Sequence, residues 1–157
     1  MQNTEKCQIQ GYYDLKSTFS QFAMLCEEQL AEENDLVISF ESVQDITMDL
    51  AVFSNPLEIS FSMATDRKDT VLGKLQFTRV PYNSKRQNVM TLYFNKYGFL
   101  RYSLDGQPSL YNLLDRESIQ MIIVHLLVTY VRKNRMTYLG DMEIDTGKIG
   151  DAFLTEH

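Results

Sequence analysis

Two runs of alternating apolar and polar residues constrain the fold of this chain more than any other feature. Their apolar members are Ile46, Met48, Leu50 and Val52 in the first run, and Leu57, Ile59, Phe61 and Met63 in the second. Successive side chains of a strand point to opposite faces of a sheet, so each run predicts a strand with one buried and one solvated face. Ser54, Asn55 and Pro56 lie between the runs and predict a turn, which makes the two strands an antiparallel pair.

Four further segments predict strands, and turns or loops separate them. These predicted strands cover residues 36–40, 71–80, 89–94 and 99–104. Gly73 weakens the prediction for the second of them, because glycine has no side chain to pack. Residues 65–70 and 81–88 predict polar loops, and Asp105 with Gly106 predicts a turn. Strands that follow one another along the chain in this way indicate an antiparallel meander.

Two helices are predicted, one before the strands and one after them. The first runs from Asp14, a suitable N-cap, to Glu33. Its apolar stripe at helical spacing consists of Leu15, Phe19, Phe22, Cys26 and Leu30. The second runs from Asp115 to Lys133 and is apolar nearly all round, which predicts a largely buried helix. The residues expected to pack together are Ile122, Ile123, Leu126 and Leu127 of this helix and Leu50, Ile59 and Phe61 of the sheet.

The predicted fold class is therefore α+β. We expect an antiparallel meander of about six strands, with the N-terminal and the C-terminal helix packed on one face. Residues 1–157 predict a single domain, with an ordered core over about residues 14–139. For the tail, residues 140–157, the sequence leaves open a short strand at residues 142–144 or a mobile segment.

Cysteine usage and hydropathy bear on the compartment. Cys7 and Cys26 are the two cysteines, and such sparse usage predicts free thiols in a reducing environment. No leader sequence is visible at the start of the chain. The longest apolar run, residues 121–131, is too short for a bilayer, which needs about 20 apolar residues. These observations predict a cytoplasmic protein that does not bind a membrane.

The sequence lacks the residue sets that mark common catalytic sites. Only two histidines are present, His125 within the second helix and His157 at the end, so neither a metal site nor a Ser-His-Asp set is predicted. No phosphate-binding loop or cofactor motif appears, and we predict a protein without catalytic residues or cofactor. The acid groups that leave a carboxylate enzyme open as an alternative are Asp45 with Asp49, Asp66 with Asp69, and Asp141 with Glu143 and Asp145.

Charge is distributed unevenly along the chain, and this asymmetry points to a binding surface. Residues 1–70 contain 13 acidic and four basic residues, whereas residues 74–135 contain ten basic and three acidic ones. Tyrosines accompany the bases of the second stretch, as in surfaces that bind a partner or single-stranded nucleic acid. The predicted binding residues are Lys85, Arg86, Tyr93, Lys96, Tyr97, Arg101 and Tyr102. We expect the four basic residues to lie on one side of the sheet.

The order of helix, strands and helix over about residues 14–133 resembles that of bacterial secretion chaperones and their relatives, although no motif supports it. Residues 81–88 depart from that layout, because they are too short and polar for the middle helix of those chaperones. The leading hypothesis is a protein-binding module, such as a chaperone, adaptor or inhibitor, with another protein as partner and a homodimer left open. Binding of nucleic acid or another anionic ligand through residues 74–135 is the second hypothesis.

Overall fold

A computed structural model describes the protein over residues 2–32, 37–81 and 85–133, with side chains described from residue 9 onwards and not for residue 32. Its elements are α1 (Gln2–Glu32), β1 (Ile38–Gln44), β2 (Thr47–Val52), β3 (Asn55–Thr65), β4 (Val71–Arg79), β5 (Gln87–Phe94), β6 (Leu100–Arg101) and α2 (Arg116–Lys133). Two compact units are distinguished, one ending at Ile119 and one beginning at Gln120, and each is described by itself. The prediction of a single domain stays a prediction. The tail predicted over residues 140–157 lies outside the described residues.

The six strands form one sheet in the order β1-β2-β3-β4-β5-β6, and each strand pairs antiparallel with its neighbours. The predicted α+β meander with a helix before it and a helix after it is confirmed. The sixth strand is shorter than predicted and consists of Leu100–Arg101 alone, extended by an isolated bridge between Phe99 and Asn112. The strand ends early because a turn follows it at residues 103–106, where the Gly106 N–H donates to the Ser103 carbonyl.

The turn between β2 and β3 begins one residue earlier and is one residue shorter than predicted. Val52 pairs with Asn55, so the turn consists of Phe53 and Ser54, and Pro56 already belongs to β3. Both turn residues have positive φ, 50° for Phe53 and 65° for Ser54. A two-residue hairpin turn with this backbone matches the right-handed twist of its strands, which explains why it wins over the Ser-Asn-Pro turn.

The alternating runs supply the core as predicted, with one exception at the end of each. Met48, Leu50 and Val52 are buried, as are Leu57, Ile59 and Phe61, and polar residues alternate with them. Ile46 and Met63 are exposed, so neither belongs to the core. Ile46 lies in the turn before β2. Met63 lies beyond the last pair of β2 with β3, and its partner on β4 is Gly73, which cannot cover it.

Helix α1 carries the predicted apolar stripe, but it begins well before Asp14. All five stripe residues are buried, and the rings of Tyr12 and Phe19 lie 5.8 and 5.6 Å from the ring of Phe61. The N-cap assignment of Asp14 is wrong, because α1 begins at Gln2 and Asp14 lies inside it. The Asp14 carboxylate accepts a hydrogen bond from the Gln10 side chain, one turn earlier in the same helix. The contact of Tyr12 with Phe61 gives this N-terminal extension of the helix a packing partner on the sheet.

Cys26 lies on the buried stripe as a free thiol, which confirms the prediction for this cysteine. Burial raises the pKa of the Cys26 thiol far above its usual range, so its reactive thiolate form is suppressed. The side chain of Cys7 lies outside the described residues.

A close approach of two strands explains the glycine in β4. Gly73 pairs with Phe94 on β5, and the Phe94 ring lies over the Gly73 backbone. A Cβ atom added at Gly73 would meet Cζ of that ring at 2.2 Å. Gly73 is therefore required by packing in an otherwise regular strand.

Helix α2 begins and ends close to the predicted positions, and Asp115 is its N-cap. The Ile119 N–H donates to the Asp115 carbonyl, and the Ser118 hydroxyl donates to the Asp115 carboxylate. In the second unit, Leu126 and Tyr130 are buried and His125 is exposed. The predicted packing of α2 on the sheet stays a prediction. Neither helix is long and apolar enough, over its described residues, to cross a membrane.

Candidate functional site

Exposed large apolar side chains lie just before and just after β6 and on the segment that is hydrogen-bonded beside it. We call this group the edge patch, and its members are Tyr97, Phe99, Tyr102, Leu110 and Tyr111. Leu110 is 96% exposed and Tyr97 64% exposed. A cation accompanies the patch, since the Lys96 ammonium lies 5.2 Å from the centre of the Tyr97 ring. Large apolar side chains that are exposed on adjoining segments are a candidate surface for contact with another macromolecule.

Backbone hydrogen bonds hold the two segments of the edge patch side by side. The Leu100 N–H donates to the Tyr111 carbonyl, and the Ser109 N–H donates to the Leu100 carbonyl. The Asn112 side-chain amide adds a further bond by donating to the Tyr97 carbonyl. The edge patch is therefore carried by a paired, hydrogen-bonded framework.

Helix α1 also holds this framework in place, through a hydrogen bond to the turn between β5 and β6. The Thr18 hydroxyl lies 2.7 Å from the carbonyl oxygen of Lys96, in the turn between β5 and β6. In that turn the Asn95 side chain accepts hydrogen bonds from the N–H groups of Tyr97 and Phe99. The turn that presents Tyr97 is thus fixed both locally and by α1.

A cleft of about 310 Å³ opens beside the edge patch, between the β3–β4 loop and the segment that follows β6. We call it the loop cleft. Its lining residues are Asp66, Arg67, Lys68, Thr70, Arg101, Asp105, Gly106, Gln107 and Pro108. The lining holds three cationic and two acidic side chains, so the net charge of the cleft is positive.

Both carboxylates of the loop cleft are occupied by the protein's own donors. Asp66 Oδ1 accepts from the N–H groups of Lys68 and Thr70, and Asp66 Oδ2 lies 3.1 Å from Arg101 Nη1. Asp105 Oδ1 accepts from the Arg67 N–H at 2.8 Å, and Asp105 Oδ2 lies 3.4 Å from Arg67 Nε. The two acids join the loops that form the cleft.

Asp66→Asn is expected to destabilise the protein at neutral pH more than at acid pH. The Thr70 N–H lowers the pKa of Asp66, with the Lys68 N–H and Arg101 also lowering it and burial opposing them. A carboxyl with a lowered folded-state pKa stabilises the fold above its unfolded pKa of about 3.9, and this contribution is lost as pH falls through the folded pKa. Urea unfolding of both proteins between about pH 7 and pH 2 measures the difference. A difference in unfolding free energy that stays constant over this range would contradict the ionised state of Asp66.

The structure brings five of the seven predicted binding residues to the β6 side of the sheet. Tyr93 pairs with Arg101 across β5 and β6 on the polar face. Lys96 and Tyr97 lie in the turn between these strands, and Tyr102 follows Arg101. Tyr111 lies close enough to Tyr102 to raise its pKa, although burial is the larger cause.

Lys85 and Arg86 lie elsewhere. They precede β5, whereas Lys96 follows it, and the eight residues of β5 span roughly 25 Å at about 3.3 Å per residue. Arg86 is also paired with Glu58 on β3, with Nη1 3.3 Å from Oε1. Lys85 and Arg86 therefore lie at one end of β5, and Lys96 lies at the other. The expected gathering of the four basic residues on one side of the sheet stays a prediction.

Several residues of this site were missed by the sequence reasoning. Leu110 and Tyr111 belong to the edge patch, and Arg67 and Lys68 line the loop cleft. Leu110 and Tyr111 could have been found from the sequence, because they are two adjacent apolar residues between a predicted turn and a predicted helix. Apolar residues in such a loop are not expected to be buried. For Arg67 and Lys68 the signal was only a charged loop, which is ordinary on any surface.

Within residues 9–31, 37–81 and 85–133, no group of three His, Cys, Asp or Glu side chains is arranged to hold a metal ion. Comparisons with protein-family models, curated proteins and solved structures found no match for this chain. The edge patch and the loop cleft are therefore the features from which a function can be inferred.

Proposed function

We propose that this protein is a non-catalytic protein-binding module of the chaperone, adaptor or inhibitor type, which contacts its partner through the edge patch. The observation that carries the proposal is the exposure of four aromatic rings and one leucine on two adjoining segments. Tyrosine and phenylalanine are enriched at the centres of protein interfaces, where each buries a large area with few rotatable bonds. A side chain such as Leu110 gains most from being covered by a partner.

The fixed framework beneath the edge patch supports the same proposal. Association costs the ordering of loops and side chains at the interface, so a patch whose backbone is already hydrogen-bonded binds with a smaller entropy cost. The bonds from Thr18 to Lys96 and from Asn112 to Tyr97 supply this preorganisation.

The arrangement of charge supports a protein partner over nucleic acid. Nucleic-acid binding requires cations that can reach successive phosphates. Here Arg86 is paired with Glu58 and Arg101 with Asp66, and the remaining bases of the predicted set lie at opposite ends of β5. The sparse cysteines support a cytoplasmic location.

The two acids in the loop cleft are better explained as structural than as a carboxylate enzyme site. A general acid needs a raised pKa near the working pH. The pKa of Asp66 is instead lowered, and both carboxylates are occupied by backbone and guanidinium donors.

Replacing Leu110 with glutamate is expected to abolish partner capture, because a charge placed at the centre of an apolar interface loses its water on binding. The measurement is quantitative mass spectrometry of proteins captured from a lysate of the source organism by the wild type and by Leu110→Glu. Met24→Glu is the matched control, because Met24 is 62% exposed on α1. We expect one set of proteins to be retained by the wild type and by Met24→Glu and lost from Leu110→Glu. Equal capture by all three proteins would remove the edge patch from the proposal.

A further inference from the structure

The loop cleft has an excess of hydrogen-bond donors once its internal bonds are counted. Arg101 uses Nη1 for both of its bonds, to Asp66 and to the Leu104 carbonyl, which leaves the other N–H groups of its guanidinium. Arg67 uses Nε for its ion pair. Each guanidinium has five N–H donors, so most of this capacity is unused within the described residues.

The acceptors of the loop cleft, in contrast to its donors, already have hydrogen-bond partners within the protein. Asp66 accepts three hydrogen bonds and Asp105 accepts a hydrogen bond and an ion pair, all from the loops themselves. Lys68 adds an ammonium group for which no ion pair is formed in the part of the chain that the structure describes. A site with satisfied acceptors, spare donors and one surplus positive charge complements a group with a single negative charge.

The loop cleft and the edge patch share one segment of chain. Arg101 lines the cleft and the next residue, Tyr102, belongs to the patch. Gln107 and Pro108 line the cleft, and Leu110 and Tyr111 follow within a few residues. One short peptide could therefore place an acidic side chain in the cleft and an apolar side chain on the patch.

Resting on the proposed function, we propose that the loop cleft binds a carboxylate side chain of the partner, so that the partner presents a segment of alternating acidic and apolar residues. Lys68 and Arg101 are the residues that contact the carboxylate. A carboxylate fits better than a phosphate, because its single charge matches the single surplus charge of the cleft. A volume of about 310 Å³ leaves room for an acidic side chain together with part of the peptide that carries it.

The test is fluorescence anisotropy with three labelled peptides: alternating aspartate and leucine, alternating asparagine and leucine, and alternating aspartate and serine. We expect the first to bind about tenfold more tightly than the second, which lacks the charge. Equal binding of the first two overturns the carboxylate site and leaves the edge patch intact. Equal binding of the first and third instead removes the edge patch while the carboxylate site stands. If none of the three binds, the peptide assignment is overturned.

Two variants separate a specific carboxylate site from general attraction between charges. Lys68→Gln is expected to weaken binding of the aspartate–leucine peptide about tenfold. Lys16→Gln removes the same charge from α1, where Lys16 pairs with Asp45 beside β2, and is expected to leave binding unchanged. An equal loss in both variants overturns the proposal. Propionate serves as the free-carboxylate probe, and propionate that binds as tightly as the peptide would show a small-molecule ligand and overturn the peptide assignment.

Discussion

Phe61→Ala is expected to lower the free energy of unfolding by about 3–5 kcal/mol, the usual cost of deleting a buried phenylalanine ring. The Phe61 ring lies where α1 meets the sheet, with ring centres at 5.6 Å from Phe19, 5.8 Å from Tyr12 and 6.0 Å from Phe94. Phe19 and Phe94 are fully buried, so neither can move into the space without leaving another cavity. Urea denaturation at equilibrium measures the change.

Ser62→Ala is the matched control for this prediction. Ser62 is the next residue of β3, is exposed and points to the opposite face of the sheet. It is expected to change the unfolding free energy by no more than about 0.5 kcal/mol. A Phe61→Ala protein with the same denaturation midpoint as the Ser62→Ala protein would show that α1 does not pack on the sheet as described.

Gly73→Ala is expected to destabilise the protein by about 1–3 kcal/mol or more, although alanine normally suits a strand at least as well as glycine. The added methyl would overlap the Phe94 ring, with 2.2 Å to Cζ and 2.3 Å to Cε1. Phe94 is fully buried, so its ring cannot turn away without disturbing the residues packed around it. Thermal or urea unfolding detects the loss.

A double-mutant cycle identifies the cause of this loss. In a Phe94→Leu background the ring that meets the methyl is absent, so Gly73→Ala should cost much less there than in the wild type. The coupling energy between the two changes is then large and favourable. Additive effects would mean that the cost of Gly73→Ala comes from somewhere other than the Phe94 ring.

Much of this fold was predictable, because periodicity reports burial directly. The runs from Met48 to Val52 and from Leu57 to Phe61 alternate with period two, and a shift of one residue would expose the whole core face. The stripe of α1 was found for the same reason. The predictions failed where the pattern ends. Before Asp14 the apolar stripe of α1 continues only through Ile9 and Tyr12, within a largely polar stretch. The early start of the helix was therefore not predicted, and Tyr12 contacts Phe61 of the sheet there.

The site was less predictable than the fold, because exposure does not leave a periodic signal. Tyrosines in the turn after β5 suggested a binding surface, and the structure places Tyr97 and Tyr102 there. Leu110 and Tyr111 are apolar residues in a loop, and the sequence does not reveal that a hydrogen bond to Leu100 holds them at the sheet edge. The pairing of Arg86 with Glu58 likewise depends on strand register, which sets which distant charges become neighbours.

The strictly consecutive pairing of the six strands also determines how chain entropy enters the folding of this unit. Each strand needs only to meet the next one along the chain, so every hairpin closes a short loop at a small entropic cost. The contacts of high sequence separation are concentrated in α1, whose Thr18 reaches the carbonyl of Lys96, 78 positions away. The pairings within the sheet therefore keep its contact order low, whereas long-range contacts of α1 raise the contact order of the unit, and a higher contact order slows folding.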